Sequence, residues 1–199
     1  MEFLKILDDL NKEFSYNKIS RKNGTMLLGP DLIPNCRHML FQPLTKEYIN
    51  TYLISEYKNN FPEDYLSFLL YTNGANLYNV RLRISDFSIA HPLFVIFGLP
   101  ITPPFNRPQD MEEPFDLRVE DLARHKSLPK TWLKCGTYTK DYNFDIQYDI
   151  FIDTLSNQVY SCCKNQRDIV DSWSNLDECF CSIFNSFVDC KYEYNPENN

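Results

Sequence analysis

Phe61-Pro62-Glu63-Asp64-Tyr65-Leu66-Ser67-Phe68-Leu69-Leu70-Tyr71-Thr72-Asn73-Gly74 carries a start signal, a buried face and a stop signal for one short helix. Pro62 suits the first helical turn, where a missing N–H and a fixed φ do no harm, and Glu63 and Asp64 favour the positive end of the helix dipole. Tyr65, Phe68, Leu69 and Thr72 follow the i, i+3, i+4, i+7 spacing of one apolar stripe. Asn73-Gly74 supplies residues that tolerate the left-handed conformation in which helices commonly end.

Upstream, Leu4, Leu7, Leu10 and Phe14 fall at helical spacing and predict an N-terminal amphipathic helix over Phe3 to Phe14. Gly29-Pro30, Ile33-Pro34 and Gln42-Pro43 then punctuate residues 24–43 too often for a long element. Thr45 reads as an N-cap, with Tyr48, Ile49, Tyr52 and Leu53 on one face of a second helix reaching about Lys58.

Downstream of Gly74 the period changes. Leu77, Val80, Leu82 and Ile84, with Arg81 and Arg83 between the last three, read as a half-buried strand, and Pro92 to Gly98 as a short buried one. Phe144, Ile146, Tyr148, Ile150 and Ile152 alternate with Asp145, Gln147, Asp149 and Asp153, with Phe151 interrupting the polar face. Ser156-Asn157-Gln158 forms a turn and Val159 to Cys162 returns, predicting a hairpin. A last helix starts from a cap near Ser174, with Asp177 in a box-like position, and runs through Leu176, Phe180, Ile183, Phe184 and Phe187.

A helix of the form Phe-Pro-Glu-Asp-Tyr-x-x-Phe-Leu followed by Asn-Gly resembles the signature helix of the SUKH superfamily. That superfamily includes the yeast cell-wall assembly regulator and bacterial immunity proteins that neutralise polymorphic toxins. The resemblance extends to Leu128-Pro129-Lys130-Thr131-Trp132-Leu133-Lys134-Cys135-Gly136, to the strand Tyr148 to Asp153 with its turn and Gln158-Val159-Tyr160, and to the closing helix from Ser174 to Phe180. These blocks stand in the family's order over roughly residues 44 to 188. The chain departs from the pattern in its long N-terminal portion and in the Pro-rich segment 100–127.

The 199 residues suit one domain burying on the order of 70% of its unfolded surface. Hydrophobic residues at 43% and aromatics at 15% exclude a disordered chain and predict a core of large rings. A net charge of −7 disfavours nucleic acid and anionic membranes and is complemented by a basic protein partner. The charged N-terminus lacks the apolar run of a signal peptide, and Leu93 to Leu99 is far short of the roughly 20 residues that span a bilayer, so a cytoplasmic location is expected. The seven cysteines are an odd number without C-x-x-C spacing; they read as reduced, mostly as small buried hydrophobes, with a zinc site using Cys36, His38 and distant cysteines as the competing reading.

Catalytic candidates are thin. His38, His91 and His125 are scattered without a flanking motif, and the five glycines form no phosphate loop. Asp110, Glu112, Glu113, Asp116, Glu120 and Asp121 are opposed only by Arg118 and read either as a solvated face or as a docking surface. Asp145, Asp149 and Asp153 share a strand face at intervals of about 13 Å, too far apart for one metal, and read as solvent-facing acids or as a negative rim.

The expected fold is therefore one α+β domain over 1–199 with an antiparallel-rich sheet of about five or six strands flanked by helices. Its core spans about 44–188, with an N-terminal helical extension 1–43 and a short disordered tail 192–199. No catalytic, cofactor or metal residues are assigned. The resemblance implies a cytoplasmic immunity protein that occludes a basic toxin domain, and Asp110, Glu112, Glu113, Asp116, Asp145 and Asp149 are the candidate partner-binding acids. A regulatory scaffold of the same fold, in cell-wall or signalling control, is the alternative, and an enzyme with an unrecognised site is the third reading.

Overall fold

The computed structural model describes residues 1–29, 36–56, 61–84, 87–99, 128–129, 131–140, 146–164, 168–189 and 193–194. Its four described helices are α1 (Glu2–Glu13), α2 (Lys46–Glu56), α3 (Glu63–Tyr71) and α4 (Leu176–Asn185). The stretch from Phe61 to Gly74 forms α3, starting one residue later than expected: Pro62 is the N-cap, extended at φ −62°, ψ 132°, and its carbonyl accepts from the Tyr65 and Leu66 amides. The stop is also built differently. Thr72 turns the chain out at φ −153°, its hydroxyl donates to the Phe41 carbonyl at 2.9 Å, and Gly74 alone takes the left-handed region, at φ +94°.

Asn73 is thus freed for another task. It is fully buried; its amide nitrogen donates to the Leu99 carbonyl at 2.7 Å, and its amide oxygen accepts from the Leu99 N–H at 2.7 Å. The two-bond clamp draws the chain so close that a Cβ on Gly98 would lie 2.3 Å from the Asn73 carbonyl oxygen. Only glycine fits there.

The sheet holds ten strands among the described residues. Nine run as an antiparallel meander in chain order: β1 (Lys18–Ser20), β2 (Met26–Leu28), β3 (His38–Leu40), β4 (Ala75–Ile84), β5 (Phe87–Ile96), β6 (Trp132–Thr139), β7 (Gln147–Asp153), β8 (Val159–Cys163) and β9 (Ile169–Trp173). β10 (Glu193–Tyr194) lies parallel to β4 at Arg81 and Leu82. The α+β class and the antiparallel sheet match expectation, but the strand count exceeds five or six.

The excess has a physical origin. β1, β2 and β3 have three residues each, too short to display a period of two; Gly24 lies between β1 and β2, and Gly29 follows β2. Residues 1–43 are therefore not a helical extension: α1 packs into the core and β1 to β3 extend the sheet. The tail expected to be disordered supplies Glu193 and Tyr194 to the sheet, and residues 195–199 lie outside those described.

Helices α1, α3 and α4 cover one face of the sheet. Phe3 is fully buried with its ring 6.3 Å from Phe68, 6.4 Å from Phe94 and 5.3 Å from Phe180, and Phe68 meets Phe180 edge-on at 5.8 Å. Tyr65 stacks on Phe68 and donates its hydroxyl to the Phe97 carbonyl at 2.6 Å, which satisfies a polar tip inside the core. The α4 cap sits one residue beyond the expected Ser174: the Asn175 side chain accepts from the Glu178 N–H, and the Glu178 carboxylate accepts from the Ser174 N–H. Asp177 accepts instead from the Glu2 and Phe3 amides at 2.8 Å each, capping α1.

Candidate functional site

The acids expected to face a partner fall into two groups. Asp110, Glu112, Glu113, Asp116 and Asp145 lie outside the described residues. Asp149 is described, and it is not solvent-facing: it is 1% exposed and its carboxylate lies 2.9 Å from the Lys134 ammonium. Register explains the burial. Asp149 stands opposite Thr137 on β6 and Cys162 on β8, between strands on both sides, and shares its face with Phe151, which is itself buried against Trp132. Asp149 thus belongs to the packed interior rather than to a rim. Asp153, last on that strand, accepts from the Leu155 N–H and the Ser156 hydroxyl and so holds the β7–β8 turn.

Nucleophile and base candidates are drawn into structure. His38 is 2% exposed, sits among the rings of Phe14, Tyr78 and Phe184, and accepts through Nδ1 from the Tyr78 N–H at 3.2 Å. Burial, with the Arg37 cation beside it, lowers its pKa from 6.5 to about 3, so the ring stays neutral. Burial likewise lowers His91, and His125 lies outside the described residues. Cys36, Cys135, Cys162 and Cys179 are buried free thiols; desolvation raises Cys135 and Cys179 far above the ordinary range and Cys162 to about 11. Among the described residues, no group of three or more His, Cys, Asp or Glu side chains could hold a metal ion.

One surface feature joins segments far apart in sequence. A pocket of about 270 Å³ opens where α3 begins, where α4 begins and where β7 turns into β8. Buried Pro62, Ile152 and Leu176 give it an apolar floor; Glu63 is exposed and Asp64 half-buried in its wall; Asn157 and Asn175 add amide groups. Asn157 adopts φ +61°, the left-handed turn conformation that asparagine tolerates, and its N–H donates to the Asp153 carbonyl.

None of these lining residues stands among the candidate acids, although Pro62, Glu63, Asp64, Asn175 and Leu176 are visible in the sequence as helix starts, Asn157 as a turn and Ile152 on a strand. Local pattern reports each role separately; their convergence is a tertiary fact. The one available signal was that Glu63-Asp64, Asn157 and Asn175 all sit inside the blocks that carry the resemblance. No helix among the described residues is long and apolar enough to cross a membrane. Compared with protein-family models, with curated proteins and with solved structures, the chain matches none.

Proposed function

We propose that this chain is a non-enzymatic binding protein of the SUKH kind, a cytoplasmic immunity protein that binds a basic toxin domain in fixed stoichiometry and blocks it without a cofactor. The observation that carries the reading is the assembly of the resembling blocks. The signature helix α3, the β7–β8 hairpin and the closing helix α4, distant in sequence, share one aromatic core and line one surface pocket. Charge agrees with it, since a chain of net −7 steers a cationic partner towards itself. The described buried thiols are poor nucleophiles because desolvation holds them protonated.

The test is to express any toxin-like gene found adjacent to this one, alone and together with this chain, in a heterologous host. Restored growth together with a complex of fixed stoichiometry is expected; unrelieved toxicity with no complex overturns the reading. Steering by the acidic segment is separable. Replacing Asp110, Glu112, Glu113 and Asp116 by Asn and Gln should lower the stopped-flow association rate, as should raising salt, because screening shortens the Debye length to about 8 Å at physiological ionic strength. A rate indifferent to both assigns that segment to solvent.

A further inference from the structure

We propose that the pocket between the starts of α3 and α4 is a socket for one arginine side chain of the partner. The inference rests on the binding-protein reading above and names the group that the site takes. Size argues first: about 270 Å³ falls below the roughly 300–1,000 Å³ typical of small-molecule sites, and a single side chain fits that scale better than a metabolite.

The lining selects the chemistry. Pro62, Ile152 and Leu176 close the floor with apolar side chains against which an aliphatic stem can lie, while Glu63 and Asp64 offer carboxylates to its head, and among the described residues no Lys, Arg or His lines the pocket. Two helix N-termini point the other way, since each carries roughly +0.5 of a charge and attracts anions. The acids outweigh them: Glu63 and Asp64 stand in the first turn of α3 and line the pocket, whereas Asp177 of α4 is committed to the α1 amides and Glu178 to the Ser174 amide. On balance about one positive charge faces the two carboxylates of Glu63 and Asp64, so the occupant is a cation. Arginine suits this lining better than lysine. Its guanidinium is weakly hydrated, so an apolar floor costs it less, and its planar fork can engage carboxylate and amide oxygens together.

The experiment is a nitrogen-15 NMR titration of the full chain with argininamide, with citrullinamide as the neutral near-isostere and lysinamide as the alternative cation. Saturable shifts are expected at the amides of Glu63, Asp64, Asn157 and Leu176, with citrullinamide weaker by about tenfold or more. The Glu63→Gln/Asp64→Asn double variant should lose about tenfold in argininamide affinity while keeping its spectral dispersion, because first-turn acids contribute little to stability. Shifts equal with citrullinamide, shifts elsewhere on the chain, affinity unchanged in the double variant, or lysinamide binding as tightly would each overturn the socket. Failure here is distinguishable from failure of the immunity reading. Restored growth with an inert pocket removes only the socket, and argininamide binding without restored growth removes only the toxin.

Discussion

The two faces of the sheet are buried by different means. On the helix-covered face, Phe3, Phe68, Phe94, Phe180 and Phe184 meet ring to ring, and the polar tips that enter, Tyr65 and Thr72, hydrogen-bond to backbone carbonyls. On the opposite face, Trp132, Phe151 and Cys162 form a small apolar cluster beside Lys134 and Asp149, an ion pair with side chains 10% and 2% exposed. The first face is held by apolar area and ring geometry, the second partly by charge removed from water. An apolar face yields gradually when trimmed, whereas a buried ion pair fails when either partner is lost.

The largest effect belongs to the first face. Phe68 is fully buried at the junction of α1, α3 and α4, so Phe68→Ala should cost about 3–5 kcal/mol in urea unfolding. A loss below about 1 kcal/mol would mean that the aromatic cluster does not define that face. Next comes the ion pair. Lys134→Met leaves the Asp149 carboxylate buried without this ammonium and should cost about 3 kcal/mol, while adding Asp149→Leu should recover most of the loss. If the single variant is nearly neutral, water reaches the second face and the contrast collapses.

Legibility follows the same divide. The helix-covered face was readable because its residues are apolar and spaced at helical or strand periods: Tyr65, Phe68 and Leu69 on α3, Ile150 and Ile152 on β7, Phe180, Ile183 and Phe184 on α4 are all buried as their spacing implies. The second face was misread at Asp149 because alternation encodes which side a residue faces, not whether that side is wet. Phe151 was the available warning, an aromatic on the supposedly polar face. The strands β1 to β3 were hidden by brevity, and β9, with its half-exposed pattern, by the absence of apolar alternation. The pocket was invisible for another reason, since no local period relates Glu63 to Asn157 or Asn175.

His38 sharpens the comparison through pH, because it is a titratable group buried on the apolar side. The unfolded chain protonates this histidine below about pH 6.5, whereas the folded chain holds it neutral down to about pH 3. Its contribution to stability is therefore complete above pH 6.5 and is lost as pH falls through that window, at about 1.4 kcal/mol per unit, or about 2 kcal/mol by pH 5. Asparagine can still accept from the Tyr78 N–H but does not titrate, so His38→Asn should flatten the stability difference between pH 7 and pH 5 by about that amount. An undiminished slope would place the acid sensitivity in the carboxylates instead.

The smallest effect lies where the starts of α1 and α4 meet on the helix-covered face. Helix α1 has no side-chain cap of its own, because its N-cap residue is Met1, and its first amides are satisfied by the Asp177 carboxylate of α4. A charged acceptor at a helix N-terminus is favoured both by the hydrogen bonds and by the dipole. Asp177→Asn keeps one oxygen acceptor but loses the charge and should cost about 1 kcal/mol; Asp177→Ala loses both bonds and should cost about 2 kcal/mol. Because the cap fixes α1 against α4 rather than within itself, amide exchange in the first turn of α1 should accelerate in both variants while that of α3 stays unchanged. Equal acceleration in α3 would mean that the three helices open as one unit, with the aromatic cluster and not the cap holding α1 in place.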